Sequence, residues 1–448
     1  MLKKASALSA IVALSLTAAA CGGNTAQETA KSTDAPKAAA GSKKVIKMVT
    51  WKQAGQTDWF EAFNKKFEEK YPEYKVDLTV TLPDDPFKQM VLSRLNANDV
   101  DIVPHLSSFI RGPKDFTPGA DKPDWQQYIE SGLLADLTGQ ALIKNFNEND
   151  IKNATTFNNK VYGVPTGTVS FSGMFYNKDI FAKNNLQVPK TWTEFVTVME
   201  TLKKNNVTPI AMAGKDKWPI KLAVMGLQAS IIDDQSKLVE GLWKGTAKYS
   251  DAQPVEVLDK IKTIMDKYTI EGFMGVDYAT LPSLFTSGKV AMIADGTWDA
   301  VTIAKADPNL KFGYFPIPGS EDAAKNASLA GKYDLTLTVA EKGPNKAGAI
   351  KWLEEFSQPE NYASFVKSAG FLPTQPNVKL ESPFVDELAP YLKGFKLGYE
   401  QVMIDRANLG EYINNADVHG ELLAPGGPFK TAKDLAQAQQ KQWDAAKK

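Results

Sequence analysis

The sequence predicts an α/β protein with two lobes, each a mainly parallel sheet flanked by helices. The chain has 448 residues, more than a single hydrophobic core usually serves. Early in the chain, strand-like and helix-like segments alternate as β-α-β-α-β over about sixty residues, which predicts a parallel sheet with right-handed crossovers. A similar alternation of helices and strands recurs in the second half of the chain.

The first lobe is predicted to open with a strand at Lys44–Trp51, where β-branched residues follow a glycine-containing loop. Asp58 and Glu61 have the spacing of a capping box and predict the start of a helix. Its apolar face carries three phenylalanines, Phe60, Phe63 and Phe67. Three further segments complete the unit: a strand at Val76–Val80, a helix that starts at Asp85-Pro86, and a buried strand at Val100–Leu106.

The second lobe repeats this logic. Thr191 and Glu194 form a capping box, and the helix that they start has an inner face of Phe195, Met199 and Leu202. Four further elements are predicted: strands at Val207–Gly214 and within Lys289–Ala300, a helix from about Pro344 to Phe356, and a C-terminal helix from Thr431.

Function is expected where the parallel strands end, because open parallel sheets bind ligands beyond the carboxyl ends of their strands. The residues at these ends are aromatic or small and polar: Trp51, Gln53, His105, Ser107, Trp218, Asp295 and Trp298. Sugars have the same mixed character, since their C–H faces stack on indole rings and their hydroxyls need fixed donors and acceptors. Trp218 and Trp298 are also consistent with plugs that close a lobe.

Composition narrows the class of function. Lys+Arg and Asp+Glu both number 52, so the chain lacks the basic excess of a nucleic-acid-binding protein. Only two histidines, His105 and His419, are present, and we expect neither a metal site nor a cofactor. No G-x-S-x-G, H-E-x-x-H or CxxC motif occurs. We therefore expect a protein that is not an enzyme. The alternative that stays open is a glycoside hydrolase, whose two carboxylates flank a cleft and can be distant in sequence.

The N-terminus predicts export and attachment to a membrane. Lys3 and Lys4 precede the uncharged segment Ala5–Ala20, which is too short to span a bilayer and ends in small residues, as secretory signals do. Cys21, the one cysteine, follows directly and resembles the modified cysteine of bacterial lipoproteins; ordinary cleavage before it is the alternative. We expect a signal peptide at residues 1–20 and a disordered tether with lipidated Cys21 at residues 21–44.

The order of several sequence blocks resembles the bacterial extracellular solute-binding proteins of ABC importers, in the group with maltose- and oligosaccharide-binding members. The resemblance covers the whole mature chain. Its blocks are "NKVYGVPTGT…GMFYNKDIFAKNNLQVPKTWTEF" (Asn159–Phe195), "FTSGKVAMIADGTWD" (Phe285–Asp299), "FGYFPIPG", "KAGAIKWLEEFSQPENYASFV" and "GFLPT" (Gly370–Thr374).

The resemblance implies a periplasmic-binding-protein-like fold whose two lobes are joined by crossing hinge segments and close on a ligand. Lobe 1 would comprise 45–166 plus 331–370, and lobe 2 would comprise 167–330 plus 371–448. The crossings would fall near Pro165–Ser170, Leu329–Tyr333 and Phe371–Thr374. The implied ligand-binding residues are Trp51, Gln53, His105, Ser107, Ser170, Trp218, Asp295, Trp298, Asp299, Lys332 and Tyr333.

The resemblance also implies a function. A lipoprotein anchored to the outer face of the cell membrane would capture a small-molecule carbohydrate and deliver it to the membrane permease of an ABC importer, as a monomer. The alternatives are another solute in the same scaffold, a surface glycoside hydrolase, and a sensor subunit for a membrane kinase. Arg111 lies in the long loop that follows Ser107, and its guanidinium could pair with a carboxylate, so an acidic sugar remains an alternative ligand. That loop either covers the cleft or has no role in binding.

Overall fold

The computed structural model describes residues 42–82, 85–105, 109–414 and 416–446. The strands are β1 (Lys44–Trp51), β2 (Tyr74–Thr81), β3 (Ile102–His105), β4 (Thr156–Phe157), β5 (Lys160–Val161), β6 (Gly163–Pro165), β7 (Thr168–Ser170), β8 (Gly173–Asn177), β9 (Thr208–Ala211), β10 (Val290–Ala294), β11 (Phe312–Pro316), β12 (Ala330–Tyr333), β13 (Thr336–Val339) and β14 (Lys396–Leu397). The helices are α1 (Ala54–Lys70), α2 (Asp85–Asn96), α3 (Asp124–Glu130), α4 (Glu148–Thr155), α5 (Lys178–Lys183), α6 (Trp192–Lys204), α7 (Trp218–Ile231), α8 (Gln235–Lys244), α9 (Ala252–Lys267), α10 (Leu281–Thr286), α11 (Ala300–Ala306), α12 (Lys346–Phe356), α13 (Pro359–Ala369), α14 (Pro383–Leu392), α15 (Tyr399–Val402) and α16 (Ala432–Ala445).

The first lobe is built on a five-stranded sheet in the order β2-β1-β3-β13-β6. Strands β1, β2 and β3 are parallel, which confirms the β-α-β-α-β unit. Strand β13 returns from late in the chain and runs antiparallel to β3 and β6. Phe60, Phe63 and Phe67 are buried in the core of this lobe, as their spacing predicted.

Helix α1 starts earlier than the sequence predicted. Its N-cap is Gln53, directly after β1, so Asp58 lies inside the helix. The Thr57 hydroxyl explains the difference, because it accepts a hydrogen bond from the Gln53 backbone N–H at 3.1 Å and so satisfies a donor at the helix start. By contrast, the Thr191 cap of α6 is confirmed, since its hydroxyl accepts from the Glu194 N–H at 3.2 Å.

The second lobe is built on a four-stranded sheet in the order β11-β8-β10-β9. Strands β9 and β10 are parallel, whereas β8 runs antiparallel to both of its neighbours, so the sheet is mixed. Two adjoining hydrophobic clusters cover its faces. Trp243 and Trp443 pack in the larger one, and Trp352 packs in the core of the first lobe.

Three chain segments meet beside these sheets. Strand β12 pairs with β7 in register Gly331↔Ser170, and Thr168 forms a bridge with Leu372. A Cβ on Gly331 would lie 1.8 Å from the Val169 carbonyl oxygen, so only glycine permits this close pairing. These are the segments that the resemblance assigned to the crossings, and their action as hinges stays a prediction.

The long loop that begins at Phe109 joins the two lobes. Phe109 stacks on Trp125 in the first lobe, with ring centroids 4.3 Å apart. Two residues later, the Arg111 guanidinium donates to the Met403 carbonyl oxygen at 3.1 Å and to Asp405 Oδ2 at 3.2 Å in the second lobe. Arg111 is therefore engaged in holding the loop across the lobes.

None of the helices in the described part of the chain combines the length and apolar character needed to cross a bilayer.

Candidate ligand-binding site

The site is centred on Trp298, which follows the carboxyl end of β10. The chain turns at Gly296 and forms a short 3₁₀ turn, Thr297–Asp299. A Cβ on Gly296 would lie 2.1 Å from the indole, so the ring rests against bare backbone at this glycine. Trp298 is half-buried and packs both on the core of the first lobe and on a small cluster that includes Phe171. Its side chain therefore contacts both lobes.

The polar edge of Trp298 is held by Tyr278, which lies in a loop of the second lobe. The indole Nε1 donates to the Tyr278 hydroxyl oxygen at 2.6 Å. That hydroxyl lies 2.8 Å from Asp299 Oδ2 and 3.1 Å from Asp295 Oδ1. One tyrosine therefore links the indole to two of the carboxyl groups that the resemblance implied.

Asp295 and Asp299 form a buried carboxyl pair. Asp295 is fully buried, and burial together with the neighbouring Asp299 raises the pKa of the Asp295 carboxyl well above its usual range. Asp295 Oδ2 is buried and has no hydrogen-bond acceptor or donor assigned to it among the described residues.

Trp218 packs on the ring of Tyr278. Its ring and the Tyr278 ring have centroids 4.4 Å apart and an interplanar angle of 56°. Trp218 is 40% exposed, an unusual exposure for a side chain with so much apolar surface. Trp218, Tyr278 and Trp298 therefore form one continuous aromatic surface with an open side.

Lys332 lies on the second crossing and faces Trp298. Its ammonium is 5.7 Å from the centroid of the Trp298 ring. It pairs with Asp334 at 3.0 Å and with Glu400 at 3.9 Å, and Lys221 extends the cluster by pairing with Glu400 at 3.2 Å. These side chains are at most one-fifth exposed.

The opposite charges of Lys221, Lys332 and Glu400 offset the effect of burial on their pKa values. Burial by itself would raise the pKa of Glu400, but Lys221 and Lys332 outweigh it and lower that pKa. Burial would lower the pKa of Lys221, but Glu400 and Asp417 raise it. The cluster is therefore charged, and it places a cation beside the indole at the meeting of the lobes.

Ser170 supports the site from the first crossing. Its backbone N–H donates to the Thr297 hydroxyl at 3.1 Å, next to Trp298 in the chain. Its own hydroxyl donates to the Ala330 carbonyl oxygen at 3.0 Å. Tyr333, by contrast, donates its hydroxyl to Asp150 Oδ1 at 2.7 Å and is not brought to the aromatic surface by any contact described.

The residues expected from the first lobe are placed differently. Trp51 is 4% exposed and meets Phe87 edge-on. His105 is buried, and its Nε2 lies 3.1 Å from the hydroxyl oxygen of Thr338. Burial lowers the pKa of His105 to about 4. Gln53 is half-buried at the start of α1, and its side chain makes no capping hydrogen bond. Ser107 and Cys21 lie outside the described residues.

Sequence reasoning missed four residues of this region: Tyr278, Lys221, Glu400 and Asp334. Tyr278 lies in a short 3₁₀ turn, and the three charged residues come from α7, the link between β12 and β13, and α15, so no spacing pattern links them. The one usable signal was Trp218 itself, because Lys221 follows it by a single helical turn on α7.

Two further observations concern where a ligand or a metal ion could bind. An apolar cavity of about 370 Å³ lies beside α11, α14 and Phe371, and none of the predicted ligand-binding residues lines it. The described residues contain no group of three or more His, Cys, Asp or Glu side chains arranged to hold a metal ion.

Comparison with known proteins gives a consistent result. Residues 95–390 match the family model described as "Bacterial extracellular solute-binding protein". The multiple sugar-binding protein of Streptococcus mutans is 28% identical over 236 residues, 52% of this chain and 55% of the relative. This chain thus spans about half the length of that curated relative. The melibiose/raffinose/stachyose-binding protein MelE of Bacillus subtilis is 22% identical over 346 residues, 75% of each chain.

Solved structures extend the likeness to nearly the whole chain. A sugar transporter from Bacillus licheniformis in complex with stachyose has a TM-score of 0.70 and 18% identity, and the match covers 90% of this chain and 100% of that one. A likeness at this identity concerns the fold. It confirms the two-lobe architecture that the sequence predicted.

Proposed function

This chain belongs to the family of bacterial extracellular solute-binding proteins, and we propose that it captures a sugar or oligosaccharide and delivers it to the permease of an ABC importer. The observation that supports this most is the aromatic surface of Trp218, Tyr278 and Trp298, with carboxyl groups at its edge. Indole faces stack on the C–H faces of sugars, and the carboxyl groups hold the hydroxyl that fixes one indole. The sugar names of the relatives support the same ligand class.

The ligand would bind between the lobes. We propose lobe 1 as residues 45–166 plus 331–370 and lobe 2 as residues 167–330 plus 371–448, with the three crossing segments as hinges. Trp298 already packs on both lobes, so a sugar stacked on it would contact both. Such a ligand stabilises the closed state by its higher affinity for that state, and the closed shape would dock on the permease.

The ionic contacts favour a neutral ligand over an acidic one. Arg111, the candidate partner for a sugar carboxylate, already donates hydrogen bonds to Met403 and Asp405. Lys332 is paired with Asp334 and Glu400. We therefore propose that the ligand carries hydroxyls and no carboxylate.

Binding without turnover is also the better fit to the carboxyl pair. Glycoside hydrolases place two carboxyl groups about 5 to 9.5 Å apart on either side of the scissile bond. Asp295 and Asp299 instead interact directly with each other and with one tyrosine hydroxyl, in a buried position. We propose that these groups position aromatic rings and transfer no proton to a substrate.

A thermal-shift screen of the mature protein against neutral mono- and oligosaccharides tests the function. A ligand at one hundred times its dissociation constant stabilises the folded protein by about 2.7 kcal/mol. Product analysis after long incubation with the same sugars is run in parallel. Stabilisation without new products is the expected result; no stabilisation by any sugar, or turnover of one, would overturn the proposal.

We further propose that Cys21 carries the lipid that holds a monomer at the outer face of the cell membrane, on the tether of residues 21–44. The support is the position of this one cysteine after an apolar signal. Mass spectrometry of the mature N-terminus and detergent partition of the unaltered chain and Cys21→Ser test it. A mature chain that starts at an unmodified Cys21, or equal partition of both proteins, contradicts anchoring.

A further inference from the structure

Tyr278 contacts both indoles of the aromatic surface and both carboxyl groups beside it. Its ring packs on Trp218, and its hydroxyl joins Trp298, Asp295 and Asp299. Tyr278 itself opens a short 3₁₀ turn, Tyr278–Thr280, that leads directly into α10. The start of α10 places its backbone, and the contacts above hold its side chain.

The hydrogen bonds of the Tyr278 hydroxyl form a chain with one direction. The Trp298 indole has only a donor, so the tyrosine oxygen must accept from it. The single hydroxyl proton is then free to go to a carboxylate, and Asp299 Oδ2 is the closer acceptor at 2.8 Å. The acidic pair holds the hydroxyl, and the hydroxyl in turn holds the indole.

A second chain of contacts runs through the backbone to Trp218. Asp216 Oδ2 accepts a hydrogen bond from the Tyr278 backbone N–H at 2.6 Å. The Asp216 carbonyl oxygen accepts from the Trp218 N–H at 2.7 Å, which closes a tight γ-turn at Lys217. Lys217 has φ 62° and ψ −54°, a conformation that non-glycine residues rarely adopt.

Such strained turns persist only where the surrounding structure enforces them, and they concentrate at binding sites. Here the turn leads directly into Trp218, whose indole is 40% exposed. The Asp216–Tyr278 hydrogen bond ties the turn to the same tyrosine that holds Trp298. Both indoles are therefore fixed through one residue.

We infer that Tyr278 is the positioning residue of the sugar site: it fixes the indoles of Trp218 and Trp298 relative to each other before a ligand arrives. The inference rests on the proposed sugar-binding function. Rings held in the binding geometry in advance lose less conformational freedom on binding, so pre-orientation raises affinity. The Tyr278 hydroxyl thereby affects sugar binding even without touching the sugar.

The test is Tyr278→Phe in the mature protein, which keeps the ring on Trp218 and removes the hydroxyl. We expect sugar affinity to fall about tenfold, as measured by calorimetry with the best sugar from the screen. The matched control is Tyr268→Phe, which also removes a tyrosine hydroxyl that donates to a carboxylate in the second lobe, that of Glu200. The control is expected to keep the native affinity.

A spectroscopic readout separates positioning from general destabilisation. The chain has nine tryptophans, so its ¹⁵N-labelled indole N–H signals are few, and the Trp298 signal is the one that Trp298→Phe removes. In the unaltered protein we expect this signal to show a hydrogen-bonded shift and slow exchange with water. Tyr278→Phe should move it and speed its exchange, whereas Tyr268→Phe should not.

The outcomes are distinguishable. If no sugar binds the unaltered protein, the proposed function fails and the signal still reports whether Tyr278 holds Trp298. If sugar binds and Tyr278→Phe binds it as tightly, the inference is wrong while the function stands. If Tyr278→Phe does not fold, the unaltered protein decides, because a Trp298 signal with the shift and exchange rate of a free indole overturns the inference.

Discussion

The ends of the parallel strands carry tryptophan in both lobes, but the two tryptophans are held differently. Trp51, at the end of β1, is 4% exposed and packs edge-on against Phe87. Trp298, after β10, is half-buried, and its Nε1 is bonded to Tyr278. The difference shows that position at a strand end does not by itself make an indole available: one ring completes a core, and the other is fixed by its polar edge with part of its surface open.

The titratable groups at the strand ends follow the same division. His105 of the first lobe is held uncharged by burial, with its pKa lowered to about 4. The second lobe places Asp295 and Asp299 beside its indole, and the second crossing adds Lys332 and its ion pairs. The described charged groups beside an open indole therefore belong to the second lobe and the crossing.

The largest effect that separates the two lobes is expected from Trp51→Ala. Removing a buried indole leaves a cavity and costs about 4 kcal/mol in the free energy of unfolding. Denaturant unfolding measures it, with Trp298→Ala as the comparison, which should cost less because part of the Trp298 indole is open to solvent. A well-folded Trp51→Ala that loses sugar affinity instead would restore Trp51 as the ligand contact that the sequence predicted.

Trp298→Ala is expected to act on binding. Residues that anchor a ligand typically contribute 2 kcal/mol or more, so we expect about a hundredfold weaker sugar binding, or about 3 kcal/mol. Calorimetry measures it, and Trp192→Ala is the control. Trp192 is also half-buried in the second lobe but lies at the start of α6, so its loss should leave affinity unchanged. Equal affinity losses in both variants would end the distinction.

The sequence predicted the parts of this comparison that depend on local pattern. The β-α-β-α-β unit, the Thr191 cap and the position of Trp298 after β10 all follow from short spacings along the chain. The capping box predicted at Asp58 was wrong, because α1 starts directly after β1. At that start, the Thr57 hydroxyl accepts a hydrogen bond from the Gln53 backbone N–H. Two possible helix starts thus competed, at Gln53 and at Asp58, and the structure adopts the one next to the end of β1.

The rest of the site depends on contacts between distant segments. Tyr278 reaches Asp216 and Trp298 from a loop, and Glu400 reaches Lys221 and Lys332 from α15. No propensity or period in the sequence marks such residues, because only the fold brings them together. Burial of Trp51 and His105 was equally invisible, since a residue at a strand end can point into a core or out of it.

The buried, uncharged His105 makes stability depend on pH. The unfolded chain binds its proton below about pH 6.5, whereas folded His105 binds it only near pH 4, so stability from this residue falls as the pH falls between these values. At pH 5 the loss is about 2 kcal/mol relative to pH 7.5. Denaturant unfolding at both pH values measures it.

His105→Gln is the matched variant, because it keeps a polar group near Thr338 and cannot titrate. Its unfolding free energy should change with pH by about 2 kcal/mol less than that of the unaltered protein. The pKa of His419 is raised, chiefly by Glu421 against the effect of burial, so its contribution has the opposite sign and is common to both proteins. An identical pH dependence in the two would show that His105 is solvated.

The smallest expected effect comes from Gln53, the one described ligand-binding candidate of the first lobe whose side chain is neither deeply buried nor used as a cap. A single hydrogen bond to a sugar hydroxyl contributes about 1 kcal/mol, so Gln53→Ala should weaken binding about fivefold. Calorimetry measures it, with the neighbouring exposed Lys52→Ala as control. The free energy of unfolding should not change, because the hydrogen bond at the start of α1 runs from the backbone N–H of residue 53 to the Thr57 hydroxyl and does not use the Gln53 side chain. An affinity loss as large as that of Trp298→Ala would reverse the comparison and make the first lobe the main recognition surface.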